Sequence, residues 1–254
     1  MLVRLMSSCL VSLLLFGCGL QTTVTPAPRP STGPYVPGPS VTPVGDQVRG
    51  SQTLEAFRQR LRSARGFSTE LGSYSEGYYY GGTKSGTFRR ASSRSRFLWA
   101  RSTRLRADVL EAANPILRDA ILVTEDGRNL KVKASGLLSL VPIRMDDTDA
   151  RLATNRNFSF RDNVPFRHME RLSGAQARWS LLGSQGSGES ERLTVAVDGV
   201  PRLDPEITRE VLVLDGLTLG PVQHQMFVNG RCVVSNTFRD FRWDPSISDT
   251  SFRL

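Results

Sequence analysis

Four dipeptides of hairpin-turn chemistry punctuate this chain: Asp126-Gly127, Asp198-Gly199, Asp215-Gly216 and Asn229-Gly230. Pairs of this kind supply the positive backbone angles that a tight two-residue connection requires, and each lies beside a short run of β-type sequence. Ala120 to Thr124 and Arg128 to Lys133 flank the first, with Leu130 and Val132 on one face and Lys131 and Lys133 on the other. Arg192 to Asp198, Val211 to Leu214, Val222 to Val228 and Cys232 to Trp243 surround the rest. In Arg94 to Arg104 the aromatic residues Phe97 and Trp99 share a face opposite Arg96, Leu98 and Ala100, and Arg104 to Asp108 alternates again. Period-two alternation of this sort describes strands with one buried face, so the pattern predicts an antiparallel sheet.

Only one segment ahead of these strands has helical spacing. Leu54, Phe57 and Leu61 form an apolar stripe between Thr53 and Arg65, with Arg58, Gln59, Arg60 and Arg62 on the other faces. Thr53 or Ser51 is the expected cap at its start and Gly66 the expected left-handed stop. The stretch Leu137 to Phe166 shows no clear period. It combines an apolar run, Leu137-Leu138-Ser139-Leu140-Val141-Pro142-Ile143, with a polar run from Arg144 to Asn157, and is read as a partial lid over the sheet. Asp146-Asp147-Thr148-Asp149 lacks the glycine and distal glutamate of a calcium loop and reads as a solvated charge run. Gly77 to Ser85 reads as a turn between strands rather than as a phosphate loop.

The N-terminus reads differently. Arg4 precedes an apolar run through Leu13, Leu14, Leu15 and Phe16 that is too short to span a bilayer, which makes residues 1–17 a secretory signal. Leu15-Phe16-Gly17-Cys18 resembles the cleavage box of bacterial lipoproteins, which would make Cys18 the acylated first residue of the mature chain, carrying palmitate-type chains. Residues 18–50 hold Pro26, Pro28, Pro30, Pro34, Pro37, Pro39 and Pro43, too closely spaced for helix or central strand, and read as a disordered tether. Residues 51–254 are then one domain. Gly19 after the cysteine favours the outer membrane, with the domain on its periplasmic face.

Charge and rare residues narrow the chemistry. The chain of 254 residues has a net charge of +9, carried almost wholly by arginine. Export argues against nucleic acid as partner and leaves anionic lipid or another acidic envelope polymer. Of the 3 cysteines, Cys9 leaves with the signal, Cys18 is the lipidation candidate, and Cys232 remains as an unpaired, inert thiol. The 2 histidines, His168 and His224, are too few and too far apart in sequence for a metal or acid-base motif, and no nucleophile elbow is present. No catalytic residue, metal or cofactor is expected. His224, at period two with Val222 and Met226, reads as a half-buried, satisfied histidine.

Some of these strands match a known family. Ser95-Arg96-Phe97-Leu98-Trp99, Leu105-Arg106-Ala107-Asp108-Val109-Leu110 and Asn114-Pro115-Ile116-Leu117, followed by Thr124-Glu125-Asp126-Gly127, resemble the LolB pattern of an aromatic strand, a basic-apolar strand, an Asn-Pro turn and a hairpin. The ending from Trp243-Asp244-Pro245 to Phe252 is similar to that of LolA-like proteins. The resemblance implies an α+β fold: a strongly curved antiparallel sheet, or incomplete barrel, with an N-terminal helix and a partial lid on its concave face. It also implies an acyl-chain cavity, for which Phe97, Trp99, Leu105, Val109, Leu130 and Val132 are the candidate lining. Leu137, Leu138, Leu140, Val141 and Ile143 are the candidates for lid or membrane contact. Arg94, Arg96, Arg104 and Arg106 are the candidates for an anionic head group.

The function implied is a non-enzymatic, monomeric, outer-membrane lipoprotein that binds or carries acylated lipoproteins or phospholipids. Two other readings use the same fold: a structural or protein-interaction lipoprotein with a filled core, and a sensor of envelope stress with an envelope protein as partner.

Overall fold

The computed structural model describes residues 44–79, 86–101, 103–112, 117–124, 128–134, 142–149 and 152–254. Cys18, the signal, most of the tether, the Asp126-Gly127 turn and Leu137, Leu138, Leu140 and Val141 lie outside the described residues.

Helix α1 runs from Val44 to Ser63 and therefore starts directly after Pro43, not at Ser51 or Thr53. Pro43 is the last proline of the tether segment, and Asp46 in the first turn complements the helix dipole. Thr53 sits inside the helix, its hydroxyl donating back to the Arg49 carbonyl at 2.8 Å. Gly66 opens the first strand rather than capping the helix. A Cβ there would stand 2.3 Å from the Trp99 carbonyl oxygen, so close backbone approach, not a left-handed angle, demands glycine.

Eleven strands among the described residues form one antiparallel sheet. They are β1 (Gly66–Tyr79), β2 (Thr87–Ala100), β3 (Arg104–Glu111), β4 (Ile121–Thr124), β5 (Asn129–Lys133), β6 (Ile143–Asp146), β7 (Arg178–Gln185), β8 (Arg192–Asp198), β9 (Arg209–Asp215), β10 (Pro221–Val228) and β11 (Arg231–Trp243). Their order is β6-β5-β4-β3-β2-β1-β11-β10-β9-β8-β7. Two meanders are thus joined where the first strand pairs with the last, and the sheet stays open at β6 and β7. The antiparallel sheet expected from alternation, and the α+β open-sheet class that the resemblance implies, are what is observed.

Helical cover explains why one face can be largely apolar. Leu54 and Phe57 of α1 pack into the core, Phe57 against Trp179 of β7 with ring centroids 5.2 Å apart. Gly50 makes this contact close, because a Cβ there would lie 2.3 Å from the Trp179 carbonyl oxygen. The segment between β6 and β7, expected as irregular, contains two short helices, α2 (Phe160–Asn163) and α3 (Pro165–Leu172). Ser159 and Asp162 form a reciprocal capping box at the start of α2. Pro165 takes the first position of α3, where its missing N–H costs nothing. Pro165, His168, Met169 and Leu172 recur at helical spacing and are buried against the sheet.

Candidate functional site

Antiparallel pairing carries one row of side chains straight across the sheet. Phe67 is paired with Trp99, Trp99 with Leu105, Leu105 with Thr124, Thr124 with Leu130, and Leu130 with Met145. Paired residues share a face, so the row runs along one side from β1 to β6. Trp99, Leu105, Thr124 and Leu130 of this row form the floor of a cavity of about 910 Å³. Leu61 of α1 closes one side, and Phe160, Val164 and Phe166 of the helical segment close the other.

Three of the six expected lining residues, Trp99, Leu105 and Leu130, are on this floor. Phe97 and Val132 belong to the neighbouring row, Phe97-Ala107-Leu122-Val132, and Val109 pairs with Ser95. These three are buried in the same core but do not line the cavity. Ile143, the one described member of the lid candidates, is 37% exposed on the edge strand β6.

Pairing also places the arginines. Leu98 faces Arg106, Arg96 faces Asp108 and Ala100 faces Arg104, all on the face opposite Trp99. Arg94 joins Glu70 and Glu111, and Arg96 lies 3.6 Å from Glu70. Arg104 pairs with Asp249 and covers the Phe252 ring, and Arg106 donates to the Ser251 carbonyl. The last two hold the C-terminal turn over the outer face. The expected head-group arginines therefore lie across the sheet from the cavity, because alternation puts neighbours of Trp99 on the other side.

The cations that do border the cavity are Arg58, Arg62, Arg101, Arg161 and Arg167. Arg58 is fixed: its Nε donates to the Ser173 carbonyl at 2.9 Å and its Nη2 to that of Gly174 at 2.6 Å. It thereby ties α1 to the carboxyl end of α3, where a cation suits the exposed carbonyls. Arg161 makes a two-pronged contact with Asp147, Nε to Oδ2 at 2.7 Å and Nη2 to Oδ1 at 2.6 Å. That hydrogen bonding holds its guanidinium above the usual range. Asp147 is only 5% exposed and anchors α2 just past the end of β6, whereas Asp146 and Thr148 in the same run stay exposed.

Beneath α3 lies a second polar cluster. Arg171 donates to both carboxylate oxygens of Glu210, at 2.8 and 2.6 Å, and His224 Nε2 lies 2.9 Å from the same carboxylate. His168 stacks edge-on to His224 with centroids 5.4 Å apart. The two histidines that sequence separates are thus neighbours in space, and His224 is fully rather than half buried. Burial pulls the Glu210 pKa up, but the hydrogen bonds from Arg171 and His224 outweigh it and bring the group down to about 2. Desolvation pushes His168 well below its usual value. Among the described residues no group of three or more metal-ligating side chains converges, and none of the described helices is long and apolar enough to cross a membrane.

Sequence reasoning missed α2, α3 and the arginines Arg161, Arg167 and Arg171. The signal was present in Ser159-x-x-Asp162 followed by Pro165, but it was masked by the polarity of the preceding run.

No family model and no curated protein matches this sequence. Solved structures do resemble it. A LolA superfamily protein from Nitrosomonas europaea aligns over 85% of this chain and 99% of that one, at 12% identity and a TM-score of 0.38. A DUF1329 family protein from Desulfovibrio piger aligns over 82% and 97%, at 10% identity and a TM-score of 0.40. MucB aligns over 82% of this chain and 63% of its own length, at 17% identity and a TM-score of 0.42, and has also been solved in complex with MucA.

Proposed function

We propose that this chain is a lipid-anchored envelope protein that holds the acyl chains of a lipid or lipoprotein in the cavity between the sheet and α1, α2 and α3, without covalent chemistry. The supporting observation is the cavity itself: an apolar floor of Trp99, Leu105 and Leu130, an apolar rim from Phe160, Val164 and Phe166, and a volume of about 910 Å³. That volume lies within the range of small-molecule sites. Each methylene moved from water into such a space gains about 0.8 kcal/mol, and release follows when an acceptor offers better burial. Cys18 is the anchor in this reading, the proline-rich segment is the tether, and the outer membrane's periplasmic face is the location.

The test is mass spectrometry under native conditions on protein recovered from bacteria, followed by organic extraction. A stoichiometric acylated species supports the reading. A ligand-free chain that also leaves a fluorescent fatty acid in solution overturns it. A second reading, a lipoprotein that contacts an envelope protein, draws on Tyr78 and Phe88, exposed aromatic residues in edge-to-face contact near the far end of the β1–β2 pair. Specific, lipid-sensitive recovery of a protein partner supports that one.

A further inference from the structure

We propose that the ligand of this cavity carries an anionic head group and that Arg101 receives it, an inference that rests on the acyl-binding reading above. The argument is an inventory of the charges around the opening. Three carboxylates border the cavity, and each already has an arginine. Asp147 is held by Arg161, Glu55 by Arg62 at 2.8 Å, and Glu170 by Arg167 at 2.8 Å. Arg58, the fourth cation, is spent on two carbonyl groups and also lies 3.6 Å from Glu55.

Arg101 is left over. It stands directly after β2, two residues beyond Trp99, lines the cavity, is exposed, and makes no side-chain hydrogen bond or ion pair among the described residues. Its backbone position is nevertheless fixed, since its N–H donates to the Arg65 carbonyl at 2.9 Å. An anchored backbone with an uncommitted guanidinium at the border of a cavity with apolar residues in its floor suits one chemistry: a chain that buries below and an acidic group that stays above. Guanidinium groups meet carboxylate and phosphate with paired hydrogen bonds, so either head group fits.

Two neighbours reinforce the field. The Arg62–Glu55 and Arg167–Glu170 pairs are exposed, at 69%/62% and 47%/41%. Exposed pairs of this kind are weak, and their arginines can turn toward a stronger acceptor. The opening therefore has a positive balance: five arginines against three carboxylates.

The experiment compares lipids with one acyl chain and different heads, using the mature chain with its anchor retained in mild detergent. Palmitate, monopalmitoyl phosphatidate and monopalmitoyl glycerol are titrated while displacement of a fluorescent fatty acid is followed. The expected result is that one or both acidic lipids bind at least about tenfold more tightly than the neutral one, the scale of one charge-assisted hydrogen bond. The advantage should shrink as salt rises. Arg101→Gln should remove it while leaving affinity for monopalmitoyl glycerol unchanged; Arg202→Gln, an exposed change outside the lining, should leave it intact. Preference for phosphatidate alone assigns a phosphate head, and equal preference for palmitate assigns charge alone. Equal binding of all three lipids by the unaltered chain overturns the head-group inference but not the acyl reading. An advantage that survives Arg101→Gln overturns the assignment to Arg101. Failure of all three lipids to bind overturns the acyl reading itself, and this inference with it.

Discussion

The indole of Trp99 lies flat against the ring of Phe166, with centroids 4.0 Å apart and planes 16° from parallel. Trp99 belongs to the floor of the cavity and Phe166 to α3, so this contact joins the sheet directly to the element that covers it. Phe166→Ala should cost about 2 kcal/mol, less than a fully buried phenylalanine because the ring is only partly buried. Urea unfolding measures the loss, and an unchanged midpoint would show that α3 is held by its other contacts.

Those polar contacts make a separate prediction. Arg171 and Glu210 are both nearly buried and bonded through two hydrogen bonds. Removing one partner strands a charge, so Arg171→Met should destabilise by about 3–5 kcal/mol, whereas Arg171→Met with Glu210→Leu should recover much of the loss. Thermal melting of the two variants decides it. Additive losses in the double variant would contradict the pairing.

Acid should loosen the fold in two stages. His168 is kept from protonating mainly by burial, with His224 and Arg171 adding repulsion and Glu210 opposing them. The unfolded chain takes up this proton near the usual value of 6.5 while the folded chain does not, so stability falls as pH drops below 6.5. Glu210 has its pKa lowered from 4.5 to about 2, despite burial, by Arg171 and His224. Its contribution is complete above 4.5 and drains away as pH falls toward 2. Denaturant midpoints followed from neutral to acid should decline through both windows, and His168→Leu should flatten the first. A flat profile above 4.5 would remove His168 from the account.

Gly50 should tolerate no side chain. Alanine there brings a Cβ to 2.3 Å from the Trp179 carbonyl oxygen, a backbone atom that cannot step aside. The helix must lift from β7, at a cost of about 1–3 kcal/mol. Calorimetry of Gly50→Ala tests this, with Gly183→Ala as the comparison, since a Cβ at Gly183 meets nothing within 4 Å.

Cys232 should be slow to react. Burial pushes its thiol up to about 11, against an opposing backbone hydrogen bond at Val234. At mildly alkaline pH little thiolate exists, so iodoacetamide should label the folded chain far more slowly than the urea-unfolded chain. Equal rates would show that the thiol is open to solvent.

The sheet was legible because its signals are local. Arg192 to Asp198 occurs as the strand that alternation marks out, and Leu130 and Val132 turn inward while Lys131 turns outward. What alternation cannot supply is position along the buried face. Trp99 and Phe97 point the same way, yet only Trp99 falls in the register row that the helices leave open, and that choice is made by α3, far away in sequence. The helical segment was hidden for another reason. Its anchors are charged residues, Arg161 on Asp147 and Arg171 on Glu210, which read as surface until their partners are known. The outward arginines Arg94, Arg96, Arg104 and Arg106 drew attention by density alone, and their work is to pair within the outer face and to pin the C-terminal turn.

Neither β6 nor β7 has a second strand neighbour among the described residues. In a closed barrel, strand number and stagger fix the bore, and widening it means tearing the hydrogen-bond ladder. An open sheet has no circumference to conserve. Its two margins can spread or approach by bending, with every strand pair intact, so the width of this cavity is an elastic property of the backbone, set by how stiffly α1 and α3 are clipped across it.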